Sequence, residues 1–127
     1  MPPRDAFIGT ATSTATEAYY STALHELAHW TGHDSRLARD FSRSKRFGDQ
    51  AYAGEELIAE LGAAFLCTRL GITNTPRVDH AQYVAHWLEV MKGDSRAVIR
   101  AASDAQKAAD FILGAHKANT EPLAVAA

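Results

Sequence analysis

The chain is predicted to be mainly α, with about four helices. Three observations lead there: apolar residues recur at three- and four-residue spacing in four stretches, glycines fall at the ends of those stretches, and no alternating strand pattern or internal repeat is found. A length of 127 residues fits one domain with a real core.

Residues 1–13 contain Pro2, Pro3 and Gly9 followed by a Thr/Ala/Ser run, and they read as a loose lead-in. Thr14 with Glu17 three residues later has the form of a capping box, opening a first helix that runs to about Thr31, where Gly32 supplies the stop. Residues 33–51 are polar with little periodicity and read as a long connection. "YAGEELIAELGAAFLCTRL" predicts a second helix over Tyr52 to Leu70, closed by Gly71, with Leu57, Ile58, Leu61, Ala64 and Phe65 on its apolar side. A turn with Asn74 and Pro76 leads to a third helix, "DHAQYVAHWLEVMK", in which Tyr83, Val84, Trp87, Leu88 and Met91 share a face. Gly93 ends it. Asp94 caps a fourth, alanine-rich helix to about His116, with Val98, Ile99, Ala102, Ala105, Ala109 and Ile112 inward, and residues 117–127 read as a frayed tail. The helical core thus spans 14–116.

A net charge of −2 argues against a dedicated polyanion binder, and no apolar run is long enough to cross a bilayer. The N-terminus lacks a signal-peptide pattern, and the single cysteine, Cys67, has no internal disulfide partner. The expectation is a soluble cytoplasmic protein with no membrane association.

The chemistry concentrates in "HELAH", residues 25–29. Residues four apart on a helix sit one turn above each other, so His25 and His29 project from one face as two ligands of a zinc ion must. With His25 as origin, His29 lies at about 40° and Glu26 at about 100°, while Tyr20, Ala23, Leu24 and Leu27 fall at about 160° to 260° as a separate core face. Glu26 is therefore placed to take a proton from an attacking water. A zinc enzyme needs a third protein ligand. The longer HExxHxxGxxH scheme fails because residue 35 is Ser35, and His33 would serve only through an unusual turn. The better source is "EELIAE": Glu56 and Glu60 are four apart, so Glu56 reaches the metal while Glu60 receives the free N–H of a ligand histidine. Glu55 points about 100° away from Glu56 and is expected in solvent. Small residues Ala59, Gly62 and Ala63 permit close helix approach.

Other residues are read more plainly. Tyr52 is a candidate oxyanion or substrate contact, as is His33, with packing the alternative for Tyr52. Arg36, Arg39, Arg43, Lys45 and Arg46 form a basic run expected to be solvated. Cys67, Trp30 and Trp87 are expected to pack, and His80, His86 and His116 to lie at the surface or to bond locally.

"YYSTALHELAHWTGH", "AYAGEELIAELGAAFLC" and "HAQYVAHWLEVMKGDSRAVIRAASDAQKAADFIL" together resemble the zincin-like metallopeptidase domain of the antirestriction protein ArdC family, over roughly residues 2 to 114. The resemblance implies the helical part of a zincin-like metallopeptidase with little or no sheet. It also implies zinc held by His25, His29 and Glu56, with Glu26 as the catalytic carboxylate acting on a peptide or protein. In that family the domain follows a single-stranded-DNA-binding domain on proteins of mobile elements, with a role in protecting incoming DNA from restriction. The chain starts at "MPPRDAF" without that domain, so its partner is expected in trans and direct nucleic-acid binding is not expected. The rival reading is a noncatalytic, metal-stabilised interaction module, and a fragment that folds without metal is a third.

Overall fold

The described residues of the computed structural model are 1–11, 13–39, 50–72, 78–91 and 93–126, of which 50, 78, 79 and 115–126 are described by backbone alone. They form α1 (Ala15–Trp30), α2 (Gln50–Arg69), α3 (Val78–Val90) and α4 (Ser95–Ala126), preceded by a 3-10 turn at Arg4–Ala6. No strand occurs among the described residues, so the chain is mainly α as its pattern predicts.

The helix ends follow from local chemistry. Thr14 accepts a hydrogen bond from the Glu17 amide while Glu17 accepts from the Thr14 amide, completing the capping box that starts α1. Gly71 ends α2 in the left-handed conformation, φ +69°, and the Ile72 amide donates to the Cys67 carbonyl at 2.9 Å. Gly93, φ +72°, turns the chain out of α3, and Asp94 accepts the Ala97 amide to start α4.

α2 is the central element: it packs against α1, α3 and α4. On one side Ala53, Leu57 and Ile58 meet Trp87 of α3 and Met91 just after it, with Ala101 and Ala105 of α4, and on the other Ala63, Leu66 and Cys67 meet Leu24 of α1 and Ala109 of α4. At Gly62 a Cβ would stand 3.3 Å from the Ala28 Cβ and 3.7 Å from the Ala105 carbonyl oxygen, so the missing side chain sets how closely three helices approach.

Several expectations need correction. The lead-in is not loose: Phe7 packs edge-on against Tyr19, Arg4 lies over Tyr19 and Tyr20, and Thr10 and Ser13 bond each other's backbone, which buries Ser13. α4 runs to Ala126 instead of stopping near His116. Tyr20 and Leu27, expected in the core, are 41% exposed, because α2 and α4 cover only the Ala18, Leu24 and Ala28 side of α1. Tyr83, Leu88 and Ile99 are also exposed, and α4 buries Ala101, Ala105, Ala108 and Ala109 in preference to larger residues. The turn at Asn74 and Pro76, and Arg43, Lys45 and Arg46 of the basic run, lie outside the described residues.

Candidate metal centre

The helical register of α1 brings His25 and His29 to one face, and their Nε2 atoms stand 3.1 Å apart. Close packing of α1 on α2 then sets Glu56 across from both, with Oε1 3.1 Å from His29 Nε2 and Oε2 3.4 Å from His25 Nε2. One ligating atom from each of the three lies within 4.8 Å of the others. Two nitrogens bound at the usual zinc distance in a tetrahedron would be roughly 3.3 Å apart, so the spacing suits a small divalent ion.

The outer nitrogens are held too. His25 Nδ1 lies 3.0 Å from Glu60 Oε1, and His29 Nδ1 lies 3.2 Å from Glu55 Oε1. When each Nδ1–H donates to its carboxylate, the tautomer leaves both Nε2 lone pairs aimed at the shared position, which is the donor set of a metal centre. Each of these carboxylates is anchored again from outside the helix pair. Glu60 Oε2 accepts from His80 Nδ1 of α3 at 2.9 Å. Glu55 accepts two bonds from Arg39, at 2.8 and 3.0 Å.

The electrostatics agree with a site for positive charge. Burial opposes protonation of His25, but hydrogen bonds to Glu56 and Glu60 outweigh it and raise its pKa to about 9. His29 is likewise raised to about 9, with Glu55 and Glu56 overcoming burial. Burial pushes Glu56 and Glu60 upward, yet their histidine partners win and hold each carboxyl at about 2. Glu55 is lowered against its burial by His29 and Arg39.

A cavity of about 270 Å³ opens beside His25 and Glu56, and Glu26 lines it together with Thr22, Tyr83 and Trp87. Glu26 itself is exposed. Tyr52, at the start of α2, packs its ring against Trp87 at 5.4 Å, and burial followed by the Glu56 charge raises its pKa. His33 is turned away from the three donors: its Nδ1 bonds the Ser35 side chain at 2.9 Å on an exposed turn.

Three residues differ from their sequence reading. Glu55 is not solvated but bonded to His29, Arg39 is not a free loop cation, and His80 is not a plain surface histidine. The 100° angle between Glu55 and Glu56 misled because α1 lies between the two directions, so both carboxylates reach it. Arg36 is only partly exposed: its guanidinium lies 3.9 Å over the ring of Trp30, which is itself 47% exposed, and its Nε donates to the Trp30 carbonyl at 2.6 Å. Trp87 and Cys67 are buried in the core.

Comparison with known proteins now bears on this geometry. The family profile described as zincin-like metallopeptidase matches residues 1–104. The chain belongs to that family. A DNA primase TraC from Escherichia coli is 50% identical over 95 residues, which are 75% of this chain and 9% of the relative. The uncharacterized protein y4eC of Sinorhizobium fredii (strain NBRC 101917 / NGR234) is 47% identical over 95 residues, 75% of this chain and 30% of its own length. Among solved structures, the Mn(II)-bound antirestriction ArdC protein from the R388 plasmid is 46% identical with a TM-score of 0.59, covering 78% of this chain and 36% of that one. The chain thus spans less than a tenth of that primase and about a third of the ArdC chain. No helix among the described residues is long and apolar enough to cross a membrane.

Proposed function

We propose that this zincin-like domain is a zinc-dependent peptide hydrolase in which His25, His29 and Glu56 hold the metal and Glu26 is the general base. The observation that carries the reading is the convergence of these three donors beside an open cavity that Glu26 lines. A 46% identical relative whose structure is Mn(II)-bound supports a divalent ion in this domain, and zinc is the ion that two imidazoles and one carboxylate suit best.

The residues divide the work. A divalent ion held there supplies Lewis acidity, making water more acidic and polarising the scissile carbonyl. The Glu26 carboxylate takes the proton of the attacking water as the oxygen bonds to the carbonyl carbon, and returns it to the leaving amine as the C–N bond breaks. Glu60 and Glu55 keep the imidazoles in the tautomer that presents Nε2. Carboxylates at the cavity and a net charge of −2 favour a peptide over a nucleic-acid substrate. We infer that the domain works in the cytoplasm beside a separate DNA-binding domain or protein, a reading supported by its likeness to proteins named DNA primase TraC and antirestriction ArdC.

The second reading is a noncatalytic module stabilised by its metal, with the same three donors closing the helix pair. Digestion of a peptide library separates the two. Glu26→Gln should keep metal and lose cleavage, and His29→Ala should lose both. A hydroxamate should bind the wild type through an open coordination position. Equal cleavage by Glu26→Gln and wild type removes Glu26 as the base, and a folded, metal-loaded protein that neither cleaves nor binds hydroxamate favours the module.

A further inference from the structure

Arg39 follows α1 by nine positions, in the connection that the sequence assigns to solvent, yet its side chain is only 11% exposed. Its guanidinium makes four hydrogen bonds. Nη2 donates to the Ala28 carbonyl at 2.7 Å and to Glu55 Oε1 at 2.8 Å, Nε donates to Glu55 Oε2 at 3.0 Å, and Nη1 donates to Thr31 Oγ1 at 2.9 Å. The Glu55 pair is the bidentate fork that a planar guanidinium makes and an ammonium does not. Glu55 Oε1 is also the partner of His29 Nδ1.

The backbone bends to reach this arrangement. Ala38, immediately before Arg39, has φ 51°, a left-handed conformation that an alanine adopts at a cost. Turns through Arg36, Leu37 and Ala38 hold it, with Leu37 N–H on the Thr31 carbonyl and Ala38 N–H on the His33 carbonyl. Strain of that kind persists where the surroundings over-determine the conformation, and here what it delivers is the guanidinium.

We infer that Arg39 is a positioning residue for the metal centre: it clamps Glu55, and through Glu55 it fixes the His29 ring so that Nε2 faces the position shared with His25 and Glu56. The inference rests on those three residues being the metal ligands. It makes the segment after α1 part of the metal-binding apparatus, so the two histidines are held from different elements: His25 through α3 by way of Glu60 and His80, and His29 through the connection by way of Glu55 and Arg39.

Arg39 also caps the carbonyl end of α1, so loss of stability alone does not distinguish positioning from capping. A double-mutant cycle does. Zinc affinity is measured by chelator competition for wild type, R39Q, R39K, E55Q and the double variant R39Q/E55Q, with circular dichroism recording folding and thermal melts recording stability. Loss of an outer partner of a metal-bound histidine weakens binding by about 10- to 100-fold, which is expected for R39Q and for E55Q. R39K, keeping the charge without the fork, should fall between R39Q and wild type. The double variant should bind zinc no more weakly than E55Q, while its melting temperature drops further because the cap is also gone. Folded R39K and R39Q with affinities within about twofold of wild type would overturn the inference and leave the ligand assignment standing, as would additive affinity losses in the double variant. A wild type that binds no zinc would overturn both.

Discussion

Replacing Glu60 by glutamine tests how tightly the centre depends on carboxylates that do not touch the metal position. Glu60 accepts two bonds with its two oxygens, from His25 Nδ1 at 3.0 Å and from His80 Nδ1 at 2.9 Å. A glutamine is nearly isosteric but has one accepting oxygen, and its NH2 group must face one of the two Nδ1–H donors. Whichever way the amide is turned, one histidine loses its partner and the charge assistance of both bonds is gone. An unsatisfied half-buried group of this kind costs about 1–3 kcal/mol. Where the loss falls on His25, that energy appears as weaker metal binding, by about 10- to 100-fold. Chelator competition with zinc at fixed pH measures it. His80→Ala removes only one of the two bonds and leaves Glu60 free to hold His25, so its effect should be smaller. Equal affinities for Glu60→Gln, Glu60→Ala and wild type, with all three folded, would refute the claim that Glu60 orients His25, because alanine leaves no oxygen for His25 whichever way the amide of the glutamine turns.

The metal-free protein should be most stable between about pH 4.5 and 6.5. His25 and His29 are raised from 6.5 to about 9, so their contribution is complete below 6.5 and is lost as pH rises through 9. Glu56 and Glu60 are lowered from 4.5 to about 2, so theirs is present above 4.5 and lost as pH falls through 2. Melting temperatures in chelator across that range check it, and a profile that climbs from pH 6.5 to 9 would contradict it. Gly62→Leu should destabilise by about 1–3 kcal/mol or more, because the side chain must displace Ala28 and the α4 backbone, as denaturant titration will read. Ala38→Gly should relieve the left-handed strain and leave the protein as stable as wild type or up to about 1 kcal/mol more so, and a clear loss in the melt would show that the alanine methyl matters more than φ.

What the sequence makes legible is what lies within one helix. The Thr14 and Glu17 capping box, the stops at Gly71 and Gly93 and the shared face of His25 and His29 each depend on spacing along a single element, and each stands in the structure. Glu56 and Glu60, four apart on α2, both reach α1 as well. Contacts made across elements are not written in spacing. Helical angle on α2 alone points Glu55 to solvent, whereas the width of α1 brings it within reach of His29. Arg39 reaches the site through a left-handed alanine that no propensity anticipates, and His80 is twenty residues from Glu60 on a helix whose packing angle the pattern leaves open. The same gap explains Tyr20 and Leu27: periodicity finds the apolar stripe of α1, but which part of it is covered depends on where α2 and α4 dock.

The central claim is that His25, His29 and Glu56 hold a metal. It is tested most directly by metal content per chain, measured by mass spectrometry on wild type and Glu56→Ala purified in parallel without added zinc. The account predicts close to one zinc in the wild type and a clear loss in the variant. No metal in either, or equal metal in both, would contradict it.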